Sequence, residues 1–306
     1  IISGFTYVRN GFEYQYPFIE SIKSLLPIVD ELIVVVGDCS DRTRDAIIEI
    51  DDVKIKIVDS VWDDELRIGG ELFAEQANIG IDRAKGDWLI HLQADEVLME
   101  DCKSEILESI KHANSRNEID GILFPFLHFW GDYCYIRKTR RTHRNEIRAF
   151  KNNRHIFSYR DSQGFRKLTA KRKEKKLKVI KTKTEVFHYS YSRHPKLMKK
   201  KSNYFKRFWH TDSWIRKETN NKPFDFNSVD KLDFYYGNHP KYMQKTIANK
   251  NWDFEYDSSK SNMKIKDRIL DFFERLTGYR LFEYKNYILL KGAVPGAKNG
   301  IIYITK

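Results

Sequence analysis

The run Glu31-Leu32-Ile33-Val34-Val35-Val36 constrains this chain more than any other segment. Five consecutive branched aliphatic side chains cannot alternate between core and water, so a strand made from them has to be buried on both faces. A sheet covered by helices on both sides offers that, and the neighbouring segments supply the helices. Residues 1–8 read as a strand. Residues 16–26 read as a helix with Pro17 in its first turn, and 41–50 as a short helix with Ser40 or Asp41 as its cap. Residues 53–58 alternate as a strand, 70–84 read as a helix stopping near Gly86, 88–92 as a strand and 101–113 as a helix. This βαβα order predicts a mostly parallel sheet with right-handed crossovers.

The strand at 88–92 runs straight into Gln93-Ala94-Asp95-Glu96. The C-terminal ends of parallel strands form the ligand-binding edge of an α/β sheet. A carboxylate there suits a hard divalent cation, Mg2+ or Mn2+, which in turn holds phosphate oxygens. Asp95 is the candidate ligand; the competing reading is an acidic first turn of a helix. Gln93 faces the same way and is suited to a ribose hydroxyl, whereas Glu96 reads as a support or a cap. The loop Gly37-Asp38-Cys39-Ser40-Asp41-Arg42-Thr43 falls where a base and ribose would lie.

Thr6, Tyr7 and Arg9 close the first strand, with Arg9 suited to a phosphate and Tyr7 to a base; Asp63 follows the third strand and could join the same site. His188 lies in an aromatic strand, as a core residue or as a second metal ligand. Asp161, a lone carboxylate among Arg160, Arg166 and Lys167, is the candidate general base, and Glu146 competes with it. Each has a plain alternative: a strand exit, a solvated turn or a surface ion pair.

Of the 306 residues 41% are apolar and 14% aromatic, enough for a substantial core. No stretch approaches the roughly 20 apolar residues of a membrane span, and the first residues lack the pattern of a signal peptide. Cys39, Cys102 and Cys134 match no zinc or disulfide framework, which leads to the expectation of a reducing, cytoplasmic setting. The net charge of +12 is unevenly spread. Residues 1–136 hold 12 Lys and Arg against 27 Asp and Glu, whereas 137–217 hold 28 against 5. The basic block suits a nucleic acid, an anionic membrane surface or a phosphorylated substrate. The acidic first third argues against a polyanion as the main ligand.

After residue 120 the pattern changes. Residues 121–130 read as a long apolar strand, with shorter strands near 146–150 and 178–191; the Lys/Arg run at 170–178 reads as an exposed loop. Helices are expected over 195–209, 240–249 and 266–276, and the tail 292–306 gives no reading. The expected division is an α/β domain over 1–193, with a nucleotide-binding half at 1–120 and a basic acceptor-side half at 121–193, followed by a mostly helical region over 194–306.

Arg9-Asn10 after the first strand, the Gly37–Thr43 loop, and Asp87-Trp88 leading to Gln93-Ala94-Asp95-Glu96 together resemble a family 2-type glycosyltransferase. The resemblance covers residues 1–190 and implies a GT-A fold: a mostly parallel sheet flanked by helices, here with a helical C-terminal extension. Such enzymes carry an Asp-X-Asp-type element at the end of this strand. The resemblance makes Asp95 its metal-binding second acid, puts Asp38 on the nucleotide base, and likens His188 to a late metal or diphosphate contact. Gln93 departs from the pattern, since the family often has Asp there.

The implied reaction is inverting, metal-dependent transfer from a nucleotide-diphosphate sugar to a glycan or lipid-linked acceptor, in cell-surface polysaccharide or glycoconjugate synthesis. Residues 137–183 would form the acceptor side, and the whole basic block would allow peripheral contact with the inner membrane leaflet. Three other classes compete: a nucleotidyltransferase, a catalytically inactive nucleotide-sugar binder, and a polyanion-binding or nucleic-acid-binding protein.

Overall fold

In the computed structural model, residues 1–63, 66, 68–218, 223–257, 259, 261–278, 280 and 288–289 are described. Asp64 and the tail 292–306 lie outside them. The first part of the chain runs β1 (Ile2–Val8), α1 (Phe18–Leu25), β2 (Glu31–Val36), α2 (Thr43–Ile48), β3 (Ile55–Asp59), α3 (Glu71–Arg83) and β4 (Trp88–His91). The four strands pair in parallel in the order β3-β2-β1-β4. Every residue of β2 is buried, and the reason is visible in its alternation. Leu32, Val34 and Val36 pack with Phe18, Ile22 and Leu25 of α1 in one apolar cluster. Ile33 and Val35 pack with Leu72, Phe73, Ala77 and Ile81 of α3 in another.

The chain continues through β5 (Glu96–Val97), α4 (Lys103–Asn114), β6 (Gly121–Trp130), β7 (Tyr135–Ile136) and β8 (Asn145–Lys151). Strand β8 inserts antiparallel between β4 and β6, so the parallel sheet becomes mixed. Next come β9 (Ile156–Ser158), β10 (Phe165–Leu168) and β11 (Glu174–Lys176), a separate antiparallel sheet. The basic run expected to be a loop is therefore in part strand: Lys167 pairs with Lys175, and the turn between contains Arg172 at φ 53°. Strands β12 (Lys178–Lys181) and β13 (Val186–Tyr191) both pair with β6, β12 along residues 121–123 and β13 from Phe126 onward. Pro125 lies between these two pairings, where a residue without an N–H cannot continue a ladder. Strand β13 also pairs antiparallel with β5, setting His188 opposite both Glu96 and His128.

The remainder contains α5 (Pro195–Lys206), α6 (Asp212–Glu218), β14 (Asp233–Phe234), α7 (Gln244–Ala248), α8 (Ile265–Thr277) and β15 (Ile288–Leu289). Among the described residues the last third thus combines helices with two short strands; α5 ends three residues before the expected 209. Among the described residues, no helix is long and apolar enough to cross a membrane.

Candidate functional site

The C-terminal ends of β1 and β4, the middle of β13 and the length of α5 surround a cavity of about 620 Å3. Tyr7, Arg9, Gln93, Asp95, Asp161 and His188 all line it, so the fold brings together six side chains from segments as far apart as 7 and 188. Thr6, Asp38, Asp63 and Glu146 are not among its lining residues. Thr6 is buried within β1. Asp38 stands just behind the wall: it accepts from Arg9 Nη2 at 2.7 Å and from the Trp62 backbone N–H at 3.1 Å. That contact fixes Arg9, whose guanidinium also lies 5.6 Å from the centre of the Trp62 ring. Trp62 can approach because Gly37 has no Cβ; one built there would stand 2.6 Å from the indole nitrogen.

Asp95, also in the cavity lining, is buried among cations. Its Oδ2 accepts from Lys201 Nζ at 3.2 Å, and its Oδ1 lies 3.6 Å from His188 Nε2. Burial by itself would raise the Asp95 carboxyl. The Lys201 ammonium, His188 in its protonated form and the Arg193 charge outweigh that and hold it well below the usual carboxylate range. Lys201 experiences the converse: burial and the Arg193 charge push its ammonium down to about 7, against the pull of Asp95. Lys201 is further held by Ser190 Oγ at 2.8 Å and by the faces of Tyr16 and Phe205, at 5.0 and 5.4 Å.

The histidines behind Asp95 determine how His188 presents its ring. His128 Nε2 lies 2.7 Å from the His143 carbonyl, which can only accept, so that nitrogen carries a proton. Burial drives the His128 pKa to about 3, so the ring is neutral and its Nδ1 accepts. The bond of 2.8 Å between the two Nδ1 atoms must then be donated by His188. In its neutral form His188 consequently turns the lone pair of Nε2 toward Asp95. A lone pair and a carboxylate oxygen 3.6 Å apart make no hydrogen bond with each other, but both can be donors to one cation.

Whether Asp95 and His188 suit a divalent ion follows from this donor set. Neighbouring ligands of a small octahedral cation, each about 2.1 Å from it, stand about 3 Å apart. The observed 3.6 Å is close to that. Among the described residues no group of three His, Cys, Asp or Glu side chains could hold a metal. Two protein donors are nonetheless sufficient for Mg2+, which keeps waters and takes oxygens from substrate phosphates. A carboxylate, an imidazole oriented by a further residue, and open space beyond them fit such an ion.

Asp161 reaches the cavity from the turn between β9 and β10. It sits between Arg160 at φ 55° and Ser162 at φ 59°, two non-glycine residues in the left-handed region. Such a turn costs conformational energy and persists only where its surroundings enforce it. Here they do: Ser162 bonds Ser158 at 3.2 Å and also Tyr7, while Gln163 donates to Asp161 at 2.8 Å. Gly70 at the start of α3 leaves room for the turn, since a Cβ on it would stand 2.7 Å from the Asp161 Cβ. Glu146, on β8, is in a different environment. Burial lifts its carboxyl to about 8; Arg148 opposes this, and the charges of Glu96 and Asp161 add to it.

Several cavity residues escaped the sequence reading: Lys201, Tyr14, Tyr16, Trp130, Tyr191 and Tyr204. For Lys201 a signal existed. Met198, Lys201, Phe205 and Phe208 recur at spacings of three and four, so the last lysine of Lys199-Lys200-Lys201 falls on the inward stripe of α5. Glu96 is a structural residue: its two oxygens accept from Arg148 at 2.6 and 2.7 Å, with both side chains buried.

The model of the family described as glycosyl transferase family 2 matches residues 6–173, over half of the chain. The chain belongs to that family, and its mixed sheet flanked by helices is the GT-A arrangement. A search of curated proteins found no match. Among solved structures, residues 1–349 of S. aureus TarS are 10% identical, with 69% of this chain and 66% of that chain covered and a TM-score of 0.40. The same protein in complex with UDP-GlcNAc gives 11% identity, 69% and 67% coverage and a TM-score of 0.36. Glucosyl-3-phosphoglycerate synthase from Mycobacterium tuberculosis, in complex with Mn2+, UDP and phosphoglyceric acid, gives 18%, 42%, 43% and 0.28. The chain thus spans slightly under two thirds of the first of these and under half of the last.

Proposed function

We propose that this protein transfers a sugar, with inversion, from a nucleotide-diphosphate sugar to a hydroxyl of a glycan or lipid-linked acceptor. One observation carries the reading: Arg9, Gln93, Asp95, His188 and Asp161 face a single cavity at the carboxyl edge of the parallel strands. The nucleoside end of the donor would occupy the side with Tyr7, Arg9 and Gln93, with Asp38 holding Arg9 from behind. The diphosphate would lie beside Lys201, which carries a positive charge when protonated, and beside Asp95 and His188, which would hold Mg2+ or Mn2+. Such an ion, when bound, offsets the negative charge that builds on the departing nucleoside diphosphate.

Asp161 is the better candidate for the base that takes the acceptor proton. A carboxyl with a pKa of about 8, as at Glu146, is mostly protonated at neutral pH and accepts no proton in that form. Glu146 then serves as a neutral neighbour that spares Asp161 a second negative charge. The basic surface over 137–217 favours an anionic acceptor, including one carried by a membrane lipid.

The test is the Asp161→Asn variant, assayed by nucleoside diphosphate release and by donor binding with a panel of nucleotide sugars. Donor affinity should stay within about twofold while kcat falls by about 10²–10⁴. Retained turnover in this variant, with loss in Glu146→Gln, would transfer the role to Glu146. Release of pyrophosphate in place of nucleoside diphosphate would make the protein a nucleotidyltransferase.

A further inference from the structure

Helix α8 leaves its apolar side in water. Ile265, Ile269, Phe272, Phe273 and Leu276 are all exposed, at 78, 52, 64, 45 and 71%. At 100° per residue these five positions fall within an arc of about 100°, one continuous stripe along the helix. Single exposed apolar residues are ordinary, but a stripe of five large ones marks an interaction surface.

The opposite side of α8 is fastened to the protein by charge. Glu274 pairs with Arg140 at 3.2 Å, Arg144 at 2.9 Å and Arg280 at 3.3 Å, and Asp267 lies 3.8 Å from Arg141. Glu274 and Asp267 thus face the basic segment 137–144, while Asp271, the third acid of the helix, pairs with Arg275. The cations of α8 are arranged differently. Lys266 lies on one border of the apolar stripe, and Arg268 and Arg275 on the other, all exposed. Arg268 reaches the carbonyls of Met263 and Ser261, and Arg275 pairs with Asp271 at 2.9 Å. Lys264, also exposed, precedes the first turn.

An apolar stripe bordered by Lys and Arg, on a helix whose acidic face is turned inward, is complementary to one kind of partner. The stripe matches the acyl boundary of a bilayer and the border matches anionic headgroups. A second copy of this basic chain would bring like charge to that border. We propose that α8 is an interfacial helix that seats this protein on an anionic lipid leaflet, its axis in the plane of the membrane. The helix has 13 residues, well short of a span, so it lies on the surface. The ion pairs to Arg140 and Arg144 tie it to the strand system that borders the cavity, so a seated protein would keep its cavity at a fixed orientation to the leaflet. This inference does not depend on the proposed reaction.

The experiment uses the full chain and the double variant Phe272→Ser, Leu276→Ser, with vesicles of phosphatidylcholine alone and vesicles that include phosphatidylglycerol. The chain should sediment with the anionic vesicles and not with the neutral ones. Raised salt should release it, and the variant should bind at least about tenfold more weakly. The variant should keep its melting temperature, because both side chains are already exposed. Equal binding by the variant would overturn the proposal. A variant that instead abolishes a concentration-dependent dimer in light scattering would assign the stripe to a second copy of the chain. A large fall in melting temperature would assign it to the protein's own interior.

Discussion

Asp95 has two oxygens with different surroundings, and this division organises the residue scale. Oδ2 is taken by Lys201, while Oδ1 faces His188 across 3.6 Å. The ring of His188 is oriented by a neighbour that never reaches the cavity: His128, anchored on the His143 carbonyl. Removing His128 leaves His188 free to rotate or to change tautomer. The His128→Ala variant should therefore bind Mn2+ about 10- to 100-fold more weakly, measured without donor by electron paramagnetic resonance of free Mn2+. A variant that binds Mn2+ as the parent chain does would remove His128 from this role. The Gln93-Ala94-Asp95 run could be read from sequence because acidic residues after a buried strand have few explanations. His128 and Lys201 could not be assigned to the site, because their roles depend on which strand and helix later fold against that edge. His128 looks like any residue of an aromatic strand until β13 pairs with β6.

At the scale of elements, the weak point is β5, a strand of two residues that carries the chain from Asp95 toward α4. Its partner β13 brings His188 alongside, and Glu96 binds Arg148 of β8 across the layer with two short hydrogen bonds. Burial raises the Glu96 carboxyl, but Arg148 more than compensates, so Glu96 stays ionised. Arg148 also lies 5.0 Å from the centre of the Phe126 ring on β6. One guanidinium thus ties β5, β8 and β6 together. Arg148→Ala leaves a buried, unpaired carboxylate and should destabilise the protein by about 3–5 kcal/mol, read as a shift of the urea midpoint. A change under about 1 kcal/mol would mean that water enters to solvate Glu96. Apart from the two-residue β5, the element order of the first 130 residues was legible because apolar period and helix stops agree there. The sheet 156–176 was not, since a run of lysines and arginines carries no apolar alternation. Lys167 and Lys175 pair through backbone contacts that a sequence does not display.

Across the whole molecule, charge is divided between the acidic first 136 residues and the basic 137–217. The cavity lies where the two meet: Asp95 comes from the acidic part, and Lys201 and His188 from the basic part. A dianionic or trianionic ligand is drawn to that junction only if the carboxylate there is matched by cations, which is what the fold provides. Family membership and the α/β class could be read from the sequence alone. The contribution of α5 to the cavity could not: its spacing turns Lys201 inward, but nothing in the sequence says which sheet edge that stripe packs against.

The proposed donor site requires that a nucleoside diphosphate and a divalent ion bind together at Asp95. Thermal unfolding of the parent chain and of Asp95→Asn, with a panel of nucleoside diphosphates, with and without Mn2+, measures this directly. Ligand that binds only the folded state raises the melting temperature with its occupancy. The expected result is a shift for one nucleoside series that requires Mn2+ and disappears in Asp95→Asn. An equal shift without the metal, or one that persists in Asp95→Asn, would contradict it.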